Sequence, residues 1–360
     1  MVTMTEQTGN TGRTEHDRHI EGAGDRERAG GAGNAPAGAR ADGGGRYEVV
    51  VVGGGPAGLS AALVLGRSRR RTLVVDAGEP RNAPSAHLHG YLSRDGMAPA
   101  DLLAAGREEI ARYGVELVRD RVVDVTRDGG DGFAVRLAGD ARAGGGRTVH
   151  ARRLVLATGL ADELPPVPGL AERFGRDVLH CPYCHGWEVR DRAFGVLATT
   201  PMSVHQALIV SQWSKDVTLF LHTVGEEELT DEDRRRLDTA GVDVVRGEVA
   251  ALVVEEDRLT GVRLAGNGGE HAREVLFVAP RPVPRTQLAV RLGARTDRTP
   301  FGEYPLTDER GLTSVPGLWA VGNAAGFAEQ IVNAASRGYR AGAAINMELL
   351  MTDLDAAGRR

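Results

Sequence analysis

Thiols are nearly missing from this chain. Its 360 residues hold two cysteines, Cys181 and Cys184, and they are each other's neighbours. That inventory excludes a scaffold stapled by disulfides and a metal site built on four cysteines, and it fits a reducing compartment, here expected to be the cytoplasm. No apolar run approaches the roughly 20 residues of a membrane-spanning helix, and the polar N-terminus lacks a secretory pattern, so no membrane association is expected. Basic charge is not in excess either: the formal net charge is -5, which gives no electrostatic reason to expect a nucleic acid as partner. At 41% hydrophobic and 26% charged, the composition is that of a globular protein of about two domains.

Residues 1–45 contain 11 glycines, with Met1, Val2, Met4 and Ile20 as the large apolar side chains. Such a stretch cannot bury enough surface to offset its ordering entropy and is expected to be a disordered tail. Order begins with Tyr47-Glu48-Val49-Val50-Val51-Val52, a short and nearly continuous apolar run of the kind found in buried parallel strands. A helix, a second strand at 72–76, a helix at 101–113 and strands near 115–125, 132–137 and 148–157 follow. From 162 the pattern restarts with a strand at 193–198, a helix from Ser203 to Trp213, and further strands at 216–221, 242–246, 249–254, 261–264 and 274–278. The strand of 317–323 then runs into a helix from Gln330 to Leu350, ahead of a short tail at 351–360. The expected architecture is α/β with two Rossmann-like, three-layer domains. A first domain, formed by 46–161 and 288–350, is interrupted by a smaller nucleotide-domain-like unit at 162–287.

Gly53-x-Gly55-x-x-Gly58 follows a strand and opens a helix, which is the context that gives this spacing meaning. The first glycine permits the tight turn, the second lets backbone approach a pyrophosphate, and the third allows close helix–strand packing. Orphan amides and the positive dipole end of the helix then favour phosphate. Asp76 ends the second strand where a ribose hydroxyl needs an acceptor. A lone motif of this kind does not separate FAD from NAD. The late strand ending in Gly322-Asn323 before a long helix, together with the strand end Ala157-Thr158-Gly159, points to FAD.

The most informative segment is His180-Cys181-Pro182-Tyr183-Cys184-His185. Two thiols at this spacing can close a disulfide across one helical turn, and a helix N-terminus or a nearby imidazole lowers a thiol pKa. Zinc is the alternative, but a tetrahedral site needs four ligands and the flanking histidines are direct sequence neighbours of the cysteines, so a redox pair and no metal is the expectation. Imidazole titrates near pH 6.5, which makes His185 a base candidate at neutral pH. His180, His87 and His89 are weaker candidates for the same task.

The strand-GGGPAG-helix, the mid-chain CPYC and the late VPGLWAVGN resemble the low-molecular-weight thioredoxin reductase family over residues 46–350. PRNAPSAHLHGYLSRDG (80–96), CPYCHGWEVRD (181–191) and PMSVHQAL (201–208) resemble more closely a branch that includes the dithiol oxidases of gliotoxin, holomycin and romidepsin biosynthesis. The resemblance implies an FAD-dependent enzyme, with Cys184 as the flavin-proximal sulfur and Cys181 as the one that exchanges with substrate. It also implies cofactor contacts from Pro56, Ala57, Arg81, Asn82, His89, Val123, Gln330 and Ile331, a homodimer, and a small-molecule dithiol as substrate. The chain departs from thioredoxin reductases in having His185, rather than an acid, directly after the second cysteine.

In the second unit the loop corresponding to a nucleotide cradle reads Ala198-Thr199-Thr200-Pro201-Met202-Ser203 and has no glycine. A β-branched Thr200 would put side-chain atoms where a pyrophosphate must approach. The next strand runs into His222-Thr223 and the acidic Glu226-Glu227-Glu228, with no neighbouring arginine cluster for a 2′-phosphate. Loss of NADPH binding favours oxidation: substrate thiols reduce the Cys181–Cys184 disulfide, and the electrons pass through FAD to molecular oxygen, giving hydrogen peroxide. Binding of NADPH through other contacts would instead make the chain a reductase acting on thioredoxin or a small disulfide, with a thioredoxin-like protein as partner. A non-catalytic flavoprotein redox sensor is the third reading.

Overall fold

A computed structural model describes residues 45–139 and 145–359. The tail read over 1–45 lies, apart from Gly45, outside the described residues. The first apolar run forms the strand Arg46–Val52. It pairs in parallel with Thr72–Asp76 on one side and Thr148–Leu156 on the other, and Glu116–Arg119 extends the sheet beyond Thr72–Asp76. The long strand Thr148–Leu156 serves two partners. Its first half pairs antiparallel with Phe133–Leu137, and its second half pairs in parallel with the late strand Leu318–Ala320.

The continuous apolar run has a simple cause. Val50 and Val52 face one core cluster and Val49 and Val51 the other, so neither face of the strand meets water. The second sheet repeats this logic with five parallel strands in the order Val242–Val245, Val217–Phe220, Phe194–Leu197, Val275–Val278 and Val178–Leu179. Cores again lie on both faces, one including Phe194 and Phe277 and the other Leu197 and Phe220. The fold is therefore α/β with two Rossmann-like units. The passages between the two sheets pair with each other, Leu160–Glu163 against Arg281–Pro284, and the expected boundary at 161/162 falls inside the first of these strands.

Several local expectations shift. The segment 115–125 divides into Glu116–Arg119 and Val122–Arg127. The helix expected from Ser203 to Trp213 stops at Val210. The short tail expected at 351–360 instead continues the last helix, which spans Ile331–Gly358. Its apolar positions at 351 and 354 kept the helical spacing but are exposed. Among the described residues, no helix is long and apolar enough to cross a membrane.

The last helix packs on Pro56–Arg67 at backbone distance. A Cβ at Gly338 would lie 1.9 Å from the Ala57 carbonyl oxygen, and one at Gly342 would lie 2.8 Å from that of Ala61. Both contacts are with backbone, which cannot swing aside as a side-chain tip does. Gly338→Ala is therefore expected to destabilise the fold by about 1–3 kcal/mol, as overpacking does, and denaturant unfolding of the variant checks this.

Candidate active site

The Gly53-x-Gly55-x-x-Gly58 turn divides its work as its spacing implies. Gly53 has φ +108°, and a Cβ there would lie 2.3 Å from the Ala157 carbonyl oxygen. At Gly58 a Cβ would meet the Gly53 carbonyl oxygen at 1.9 Å, so this glycine serves helix–strand packing and does not line the cavity. Gly55 is different: nothing lies within 4 Å of its Cβ position. It opens onto a cavity of about 920 Å³, which is a size that suits a cofactor. The first bond of the helix that follows is Leu59 N–H to Gly55 O at 2.9 Å, which leaves the amides of Ala57 and Gly58 ahead of it.

The same cavity is lined by Pro56, Ala57, Asp76, Arg81, Asn82, His89, Val123, Ala157, Thr158, Gly159, Gly322, Asn323, Gln330 and Ile331. Cys181, Cys184 and His185 line it too, so the first unit's cradle and the second unit's cysteines share one space. Asp76 Oδ1 accepts from the amides of Gly54 at 3.1 Å and Gly78 at 3.2 Å, and Oδ2 accepts from Arg119 at 3.1 Å. Arg81 directs its guanidinium fork at Asp162, through two bonds of 2.8 Å. Asn323 Nδ2 donates to Gly326 O at 3.0 Å. These residues fit FAD: an open glycine cradle, free amides at a helix start, and a second helix start at Gln330 whose positive end lies at the cavity wall.

Cys181 and Cys184 are disulfide-bonded. Cys181 precedes the turn Pro182–His185, and Pro182 takes the first helical position, where its missing N–H is no loss. Gln330 reaches both sulfurs, its Nε2 at 3.6 Å from Cys181 and its Oε1 at 3.5 Å from Cys184. The sequence placed Gln330 only at the cofactor; its contact with the sulfurs has no local signal, since 146 residues separate it from Cys184.

The histidines differ in their surroundings. His180 points Nδ1 at the Val278 carbonyl oxygen, 3.2 Å away, and burial lowers its pKa, with Arg81 acting in the same sense. His89 sits between Asp95, 3.3 Å from Nδ1, and Glu188, 3.5 Å from Nε2. His185 contacts Ser85 Oγ through Nε2 at 3.0 Å, while its Nδ1 is buried without a partner. Burial is the main cause that holds His185 below the ordinary 6.5, so the neutral, basic ring prevails at pH 7. Among the described residues, no group of three or more His, Cys, Asp or Glu is placed to hold a metal ion.

The second loop behaves otherwise. Ser203, Val204 and His205 donate their amides to the carbonyls of Thr200, Pro201 and Met202 at 2.9, 3.2 and 3.1 Å. This helix start therefore satisfies its own donors, and none of residues 198–203 lines the cavity. Arg234 and Arg246 arrive from later elements, and both pair with Glu226.

Residues 47–338 match the model of the family described as pyridine nucleotide-disulphide oxidoreductase. The chain belongs to that family. Within it the chain is thioredoxin reductase-like, a flavin-dependent thiol–disulfide oxidoreductase. It is similar to the thioredoxin reductase tcpT of Claviceps purpurea, 32% identical over 84% of this chain and 94% of that one. Its structure is similar to the crystal structure of HlmI, 51% identical with a TM-score of 0.81, covering 87% of this chain and 95% of that one. An oxidoreductase from Agrobacterium tumefaciens is 36% identical with a TM-score of 0.77, over 85% of this chain and 99% of that one.

Gly55→Val tests the cradle. The backbone there has φ -79° and tolerates a side chain, so the variant should fold, yet its added carbons would fill a ligand's place. Bound flavin is expected to fall by roughly tenfold or more, measured by the visible absorbance of purified protein with unchanged circular dichroism.

Proposed function

We propose that the chain is an FAD-dependent dithiol oxidase that closes a disulfide in a small-molecule dithiol, with dioxygen as electron acceptor. The observation that carries this reading is the contrast between the two loops. The first offers a cradle in the same cavity as the disulfide, whereas the second turns its helix amides inward and presents Thr200 where a glycine is needed. Without a pyridine nucleotide to supply electrons, the thiols must supply them.

In this reading a substrate thiolate attacks Cys181, forming a mixed disulfide and releasing Cys184 as a thiolate. His185 takes up the thiol proton. The second substrate thiol attacks the mixed disulfide, so the product leaves with a new S–S bond and both cysteines remain reduced. Bound FAD would supply the two-electron acceptor that reoxidises the cysteine pair, with dioxygen as the final oxidant and hydrogen peroxide as its product. Gln330 holds the sulfurs against the start of the last helix, whose positive end favours negative charge accumulating there. Gly53, Gly55, Ala57, Asp76 and Gly159 would hold the nucleotide part of the cofactor, and Gly322, Asn323, Gln330 and Ile331 the flavin part.

A homodimer belongs to the same proposal on the strength of the resemblance. A second copy would cover the exposed apolar side chains Val332, Tyr339, Met347 and Leu354 of the last helix. A cytoplasmic location rests on the scarcity of thiols. The names of relatives such as tcpT favour the alternative, an NADPH-dependent reductase, and one experiment separates the two. Under anaerobic mixing, a dithiol such as dithiothreitol should bleach the flavin within turnover time and NADPH should not. Rapid bleaching by NADPH would favour the reductase. Aerobic turnover with the dithiol should release hydrogen peroxide steadily, an outcome that a mere sensor does not give. Cys184→Ser should stay yellow and lose turnover.

The pH dependence follows from His185. Its pKa is lowered from 6.5, so the basic form is full above that value and is lost as pH falls through the lowered one. The acid limb of kcat/KM for the dithiol should therefore lie below pH 6.5 and disappear in His185→Gln, read from stopped-flow profiles.

A further inference from the structure

Ser85 lies within the motif segment 80–96 and takes no part in the steps described above. Ser85 Oγ lies between two groups, 2.7 Å from the His87 carbonyl oxygen and 3.0 Å from His185 Nε2. A hydroxyl carries one proton, and a carbonyl oxygen only accepts. If the proton turned to Nε2, two acceptor oxygens would face each other at 2.7 Å. The proton therefore goes to His87 O, and Oγ accepts from Nε2–H. The lone pair of the neutral ring then falls on Nδ1.

Nδ1 is buried and has no hydrogen-bond partner. An unpartnered buried polar atom is unfavourable in a native structure and calls for a reason. The Cys181 carbonyl lies beside the ring and favours its protonated form, yet it completes no bond to Nδ1. Nδ1 thus lies on the side of the ring that faces the backbone of Cys181, the cysteine the proposed function assigns to substrate attack. The charged and titratable groups acting on the ring are His89 and His180, which oppose its protonation, and Glu188, which favours it.

We propose that Ser85 is a positioning residue: by donating to His87 O and accepting from His185 Nε2–H, it fixes the tautomer in which Nδ1 receives the substrate's thiol proton. This rests on the reading of His185 as the base of dithiol oxidation. The proton moves from sulfur to Nδ1 as the substrate S–Cys181 bond forms and the Cys181–Cys184 bond breaks. The resulting Nδ1–H is then beside the Cys181 carbonyl.

The test uses the flavin-loaded enzyme labelled with 15N-histidine, with His185→Gln to assign the His185 signals, and dithiothreitol as the thiol. The wild type should show the Nε2–H tautomer of His185. Ser85→Ala should shift the tautomer towards Nδ1–H, move the acid limb of the pH profile, and slow anaerobic flavin reduction by about tenfold, the scale of losing an orienting partner. Ser85→Thr, which keeps the hydroxyl, should restore most of the rate. An Nδ1–H tautomer in the wild type overturns the proposal even if Ser85→Ala fails to fold. So does a Ser85→Ala variant with unchanged tautomer and pH profile. If His185→Gln reduces flavin at the wild-type rate, it is the base assignment that fails, and the tautomer measurement judges Ser85's hydrogen bonding separately.

Discussion

Two helices meet backbone to backbone where Gly338 and Gly342 lie against Ala57 and Ala61, and the cavity takes its form from that approach. Pro56–Arg67 begins at the glycine turn and Ile331–Gly358 begins at Gln330. Drawing the two together sets both positive ends on one space. A side chain at either glycine would separate the helices and pull Gln330 away from the sulfurs. Small residues four apart on each helix keep the contact in line.

The parallel sheets supply the second constraint. Parallel strands need crossovers, so the loops that carry chemistry gather at the strand ends. Val52, Val75 with Asp76, and Leu156 with Ala157 finish side by side at the end of one sheet. The late strand Leu318–Ala320 joins beside Leu156 and delivers Gly322 and Asn323 to the same edge. The second sheet does the same for its own loops, but there the helix start is closed on itself. Among the described residues, the first of these two turns lines the cavity and the second does not.

The thiol chemistry sits between these parts. Cys181 and Cys184 come from the second unit, Gln330 from the last helix, and Ser85 from the loop after the second strand. No one of these segments makes the site alone. Burial keeps the His185 ring neutral, and the Ser85 hydroxyl decides which nitrogen is left free to react.

Much of this was legible in the residues themselves. The apolar run at 47–52, the glycine spacing at 53–58 and the CPYC pair are local patterns, set by dihedral freedom, by burial on both sheet faces and by the reach of two thiols. The missing glycines at 198–203 could also be read directly. Other features were not local. Gln330 meets Cys184 across 146 residues and Ser85 meets His185 across 100, and Arg234 and Arg246 reach Glu226 by tertiary packing that no spacing announces. The sequence by itself determined two nucleotide-type units and one redox pair, because backbone sterics and periodicity act over a few residues. Only the tertiary structure decided which histidine keeps an unpartnered nitrogen beside the pair, because hydrogen-bond partners and burial depend on what packing brings into contact.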